Sequence, residues 1–209
     1  MLISLSLWSL DQARLAADVE RHDEHVDSFH VDVMDGHFAD NLLYGPLTVG
    51  ALRSLTCRPI VAHLMLTEPG RWVTRFADAG ADVLVVHPPA CRDFPATVAS
   101  VVDAGVAAGA AIGIGDPVDP VLMQMSQLTD VLVMGTAVGV KGEAFDDSAL
   151  PTIARLTGQG TRVFVDGGIR WRSLPGMAAA GADGVVAGSI VAGARDPASA
   201  AGAIRKIHR

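Results

Sequence analysis

Eight short apolar runs, each followed by a stretch with helical spacing, limit what this chain can fold into more than any other feature. The runs fall at residues 2–7, 29–34, 59–65, 83–87, 110–114, 131–134, 162–166 and 185–188. Ser9 or Asp11 can open a helix through Leu15, Ala16 and Val19 after the first run. Later helices are expected at 49–55, 69–79, 94–104, 117–128, 149–156, 172–180 and 198–208. The run 83–87 lacks alternation, as a strand buried on both faces should. Gly80 stands where the helix before it needs a left-handed cap. The segment Ala79-Gly80-Ala81-Asp82-Val83 is echoed by Ala180-Gly181-Ala182-Asp183-Gly184, so one helix-turn-strand unit is used again.

Strands alternating with helices imply a parallel sheet, either open or closed. An open doubly wound sheet would carry a glycine fingerprint after an early strand, and none is present. Eight units suit a closed barrel. The expected fold is therefore α/β, a single (β/α)8 TIM barrel over residues 1–209, at the short end of that fold's size range. Half of the residues are hydrophobic and 22 are glycine, a mix suited to one sizeable α/β core. A net charge of −7 argues against a nucleic acid or an anionic membrane as partner, though not against a small anion. Cys57 and Cys91 are too few for a disulfide framework, which points to a reducing cytoplasm. Residues 1–10 carry three serines and no basic start, so no export signal is expected, and no apolar run is long enough to span a membrane.

The run at 29–36 carries the chemistry. Residues two apart on a strand share a face. Phe29, Val31 and Val33 therefore lie on one face, with His30, Asp32 and Met34 on the other. Asp35-Gly36 ends the strand with turn chemistry. A plain His–Asp pair would also explain this stretch, but His63 and Asp166 end two further strands. In a barrel the reactive groups lie at the C-terminal ends of the strands. Two imidazoles and two carboxylates converging there make a ligand set for Zn²⁺, Mn²⁺ or Fe²⁺. His87, also at a strand end, suits a supporting role behind such a site. Asp166-Gly167-Gly168 and Gly188-Ser189 follow the last two strands, where barrels often hold phosphate. Met34, Met65 and Met134 each end a strand and could form an apolar lid.

These motifs together resemble the ribulose-phosphate 3-epimerase family. The resemblance rests on His30-Val31-Asp32-Val33-Met34-Asp35-Gly36-His37-Phe38, Asn41, Gly45-Pro46, His63-Leu64-Met65, His87-Pro88, Val165-Asp166-Gly167-Gly168-Ile169 and Ala187-Gly188-Ser189. Ser6-Leu7-Trp8-Ser9 matches more loosely, and the likeness covers essentially the whole chain. It implies one divalent ion (Zn, Fe, Mn or Co) held by His30, Asp32, His63 and Asp166. Asp32 and Asp166 would then act as acid and base on opposite faces of a phosphorylated ketose. Ser6, His63, Gly167, Gly168, Gly188 and Ser189 would bind that small substrate, and the resemblance also implies a homo-oligomer. Epimerising carbon 3 of a 2-ketose removes a proton alpha to a carbonyl, which such a pair could do.

One loop departs from the family. Where it has a Pro-Gly-Phe-Gly-Gly phosphate loop preceded by Asn, this chain has Ala137 and then Val138-Gly139-Val140-Lys141-Gly142. Either Lys141, with Gly139 and Gly142, supplies the phosphate grip or the substrate differs. The family's His-Pro-Glu is here His87-Pro88-Pro89. The stretch 23–30 resembles an allulose-6-phosphate 3-epimerase branch. A related barrel lyase group uses an Asp-x-Lys-x-x-Asp strand end; Asp32-Val33-Met34-Asp35 has no such lysine. A non-catalytic sugar-phosphate binder would not need both carboxylates.

Overall fold

The structure is a computed structural model that describes residues 1–207. Strand β1 (Leu2–Ser6) leads through a 3-10 turn to α1 (Leu15–His22), β2 (Ser28–Asp35), the two-residue β3 (Leu42–Leu43) and α2 (Pro46–Arg53). Then come β4 (Ile60–Met65), α3 (Val73–Asp78), β5 (Val83–Val86), α4 (Phe94–Asp103), β6 (Ala107–Ile112) and α5 (Asp119–Leu122). The chain finishes with β7 (Asp130–Met134), α6 (Leu150–Leu156), β8 (Arg162–Asp166), α7 (Leu174–Ala180), β9 (Gly184–Ala187), α8 (Ser189–Ala192) and α9 (Pro197–Arg205). Eight strands run parallel in the order β1-β9-β8-β7-β6-β5-β4-β2, and pairing of β1 with β2 closes the barrel.

Most expected elements form, with shifted ends. β3 was not expected; it pairs antiparallel with the end of β2 inside the loop read as pure connection. Neither Ser9 nor Asp11 caps α1. Ser9 closes the 3-10 turn, and the Asp11 carboxylate accepts from the Ala13 amide, so the helix waits until Leu15. β6 stops at Ile112 rather than 114, because the Asp116 carboxylate takes the Gly113 amide and turns the chain. The helix expected over 117–128 is only α5 and a 3-10 turn at Met125–Gln127. Pro120 fits a first turn but would break an interior one. Part of the 69–79 helix is also 3-10, at Pro69–Trp72. Gly80 does adopt φ +95°, and a Cβ there would come within 2.8 Å of the Arg53 side chain. His208, in the last expected helix, lies outside the described residues.

The alternation in β2 sorts as expected. Phe29, Val31 and Val33 turn outward into the layer between sheet and helices, with Ile3, Leu5, Phe76 and Val98. This shell holds most of the buried apolar surface and so most of the folding free energy. Val83, Val85, Ala111, Leu132 and Val186 fill the lumen. Its floor is polar. Arg162 donates twice to the Asp130 carboxylate, at 2.6 and 2.9 Å, and Ser28 donates to Ser4 at 2.7 Å. A cavity of about 90 Å³ remains at this floor, lined by Ser4, Ser28, Asp130 and Arg162 among others, and a larger one opens at the C-terminal mouth.

Candidate metal centre

Register brings the four polar side chains together. Ser6 stands beside His30, Asp32 beside His63, and Met34 beside Met65 across β1, β2 and β4. Asp166 ends β8 beside Met134 of β7. His30 sits deeper than a strand end, as the third residue of an eight-residue strand. It still reaches the others because the strands of a barrel are staggered.

The ligand atoms form a compact group. His30 Nε2 lies 3.3 Å from Asp32 Oδ1, 3.7 Å from Asp166 Oδ2 and 3.4 Å from His63 Nδ1. His63 Nδ1 lies 3.5 Å from Asp32 Oδ1 and 3.6 Å from Asp166 Oδ2. A tetrahedral ion with bonds of about 2.0–2.1 Å would set its ligand atoms about 3.3–3.4 Å apart. Five edges of the group are close to that spacing. All four residues offer one atom within 4.8 Å of the rest, so the cluster could hold a divalent ion.

The electrostatics agree with this geometry. Burial pushes the Asp32 carboxyl up, but His30 and His63 outweigh it and hold the group well below the usual carboxylate range. Burial pushes His63 down; hydrogen bonds to Asp166 and Asp32 overcome that and raise it to about 9. A proton thus occupies the cluster when no metal does. Ser6 Oγ donates to Asp32 Oδ2 at 2.9 Å, which leaves Oδ1 turned toward the imidazoles. His63 Nε2 lies 2.8 Å from His87 Nε2. Burial, with His63 beside it, pushes His87 well below its ordinary value, so it is neutral.

Above the cluster opens a cavity of about 210 Å³. Ser6, Asp32, Met34, Met65, Met134, Gly139, Lys141, Gly142, Asp166, Gly167, Gly168, Gly188 and Ser189 all line it, while His30 and His63 lie beneath. Sequence reasoning missed Thr136 and Arg170 among the lining residues. Arg170 follows Asp166-Gly167-Gly168-Ile169 directly, and that proximity was its signal. Neighbouring loops by themselves already require glycine at two of these positions. At Gly168, φ is +69° and a Cβ would overlap the Phe145 amide; at Gly167 it would meet Thr136 Oγ1. Lys141 is not solvated freely: Nζ donates to the Trp8 carbonyl and sits 5.3 Å from the centre of its ring. Arg170 donates to the Gly142 carbonyl at 3.3 Å and Asn41 Nδ2 to the Gly139 carbonyl at 3.4 Å, so the 139–142 loop is fastened at both ends.

The pattern of the ribulose-phosphate 3 epimerase family matches residues 2–192. The chain belongs to that family. It is 36% identical to the ribulose-phosphate 3-epimerase of Bacillus subtilis, over 97% of each chain. By structure it is similar to KGPDC from Streptococcus mutans, with TM-score 0.77, 20% identity, and 97% and 94% of the two chains covered. It is likewise similar to 3-hexulose-6-phosphate synthase from Salmonella typhimurium, with TM-score 0.72, 21% identity, and 99% and 98% covered. At such identities these two structures speak for the barrel alone. Family membership makes the chain an epimerase, an isomerase acting on carbohydrate, and the lyase reading falls away. Among the described residues no helix is long and apolar enough to cross a membrane.

Proposed function

We propose that this chain interconverts ribulose 5-phosphate and xylulose 5-phosphate by proton transfer between Asp32 and Asp166. The observation that carries the reading is the placement of these carboxylates. They come from strands separated by β9 and β1 around the barrel, yet both border one cavity and one imidazole pair. One carboxylate takes the proton from carbon 3 of the ketose, and the other returns a proton from the opposite side. Ser6 and His63 hold Asp32 in place for this. A divalent ion (Zn, Fe, Mn or Co) bound by His30, Asp32, His63 and Asp166 would supply positive charge to steady the enediolate. Met34, Met65 and Met134 keep water from the reacting carbons, which strengthens every electrostatic contact there. Backbone amides near Gly167, Gly168, Gly188 and Ser189, with Lys141 at the rim, bind the phosphate.

The unit that acts is the whole chain, residues 1–209, working as a homo-oligomer in the cytoplasm. The reading is tested by incubating the metal-loaded protein with ribulose 5-phosphate in heavy water. Xylulose 5-phosphate carrying deuterium at carbon 3 is expected. Absence of both exchange and product with every one of the four metals would overturn it. An allulose-6-phosphate preference has no support from the stretch that suggested it. Asp23 accepts a hydrogen bond from Thr56 and, with His25, borders a surface groove that shares no residue with the cavity.

A further inference from the structure

We infer that His87 is the positioning residue of the metal centre: it accepts the Nε2–H of His63 and so keeps the Nδ1 lone pair of His63 aimed at the ion. The inference rests on the metal reading above. Geometry carries it. The two Nε2 atoms are 2.8 Å apart, so one proton lies between them and one ring must donate. The rings stack with centroids 5.0 Å apart at 25°, and both side chains are fully buried, so neither can turn to water for another partner. Phe38 closes the outer side, its ring 5.0 Å from that of His87. His63 offers Nδ1 to Asp32, Asp166 and His30. An imidazole that gives the lone pair of Nδ1 to a metal carries its proton on Nε2. His87 Nε2 then has to be the acceptor, and its own proton stands on Nδ1, a buried atom with no partner among the described residues.

The reverse arrangement, with His87 donating, would leave His63 Nε2 without a proton and put its only proton on Nδ1, where the ion has to bind. Without a metal, Nδ1 carries a proton toward the carboxylates while Nε2–H still donates to His87. Metal binding therefore displaces that one proton and leaves the bond to His87 as it is. A neutral acceptor also suits the charge of the site. Two carboxylates already balance a divalent ion, and a third acid at position 87 would make the centre anionic and blunt its pull on substrate.

The test measures Zn²⁺ affinity by chelator competition for the wild type, His87→Phe and His87→Gln, with melting curves beside it. Phe keeps the stacked shape without an acceptor, whereas Gln restores one. His87→Phe is expected to weaken Zn²⁺ binding about 10- to 100-fold while the protein stays folded, and His87→Gln to recover most of it. Equal affinity in all three proteins, or equal loss in both variants, would overturn the inference. Should His87→Phe not fold, the wild type still decides. Nitrogen NMR of the Zn²⁺-loaded protein must find the proton on His63 Nε2; finding it on His87 Nε2 overturns the proposal. Failure of the wild type to bind any divalent ion would instead sink the metal reading, a result distinct from either.

Discussion

The proposed proton transfer turns on single carboxylate oxygens. The Asp32 side chain is 6% exposed, fixed by Ser6 and two imidazoles, whereas the Asp166 side chain is 14% exposed and more open to the cavity. We expect Asp32→Asn and Asp166→Asn each to lower kcat about 10²- to 10⁴-fold, the usual worth of a positioned acid or base, and to weaken metal retention as well. Steady-state assay with metal analysis checks both effects. Near-normal kcat in either variant would rule out a two-carboxylate mechanism. Ser6→Ala should be milder. Asp32 loses one charged hydrogen bond, worth on the order of 1.5–3 kcal/mol when buried, but keeps its two histidines. A fall of about tenfold or somewhat more in kcat/KM is expected; no fall would mean that Ser6 does not orient the carboxylate.

At the scale of elements, the loops above β7 and β8 are more interdependent than their sequence suggests. Lys141 ties the 139–142 loop to the turn after β1, and Arg170 ties it to the loop after β8. Lys141→Ala should raise KM for a phosphorylated ketose about tenfold and leave kcat nearly unchanged. Lys141 is not among the residues with positive φ, so Lys141→Gly relieves no strain and should behave like the alanine variant. A KM unchanged in both variants would show that the strap has no part in binding. Gly168→Ala should cost about 1–3 kcal/mol of stability, because it combines a left-handed φ with overlap on Phe145. Urea titration would show this as a lower midpoint, and an unshifted midpoint would mean that the two loops separate easily.

For the whole molecule, the metal couples stability to pH. In the metal-free protein His63 is raised from 6.5 to about 9. A raised pKa stabilises the fold fully below the unfolded value and loses that contribution as pH rises through the folded one. Chelator-treated protein should therefore lose stability between about pH 6.5 and 9. The loaded protein should behave oppositely. Each ion must displace the His63 proton, so Zn²⁺ affinity should rise about tenfold per pH unit until pH 9. Thermal melts with and without metal across that window check the sign. Parallel curves would mean that His63 is not a ligand.

Much of this was legible in the chain. Period-two alternation at 29–34 separates Phe29, Val31 and Val33 from His30, Asp32 and Met34, because a strand has only two faces and one of them must meet the helices. Eight strand-helix units select a closed parallel barrel, and strand ends bearing His63 and Asp166 locate its mouth. Tertiary structure decided the rest. The stagger between strands, which local sequence does not encode, set His30 beside His63 at 3.4 Å although it lies deep in β2. Contacts across more than a hundred residues seated Lys141 on the Trp8 carbonyl. Partner identity likewise turned His87 from a lone strand-end histidine into the neighbour of His63. Such pairings follow from which strands become adjacent when the barrel closes, and no stretch of sequence contains that information alone.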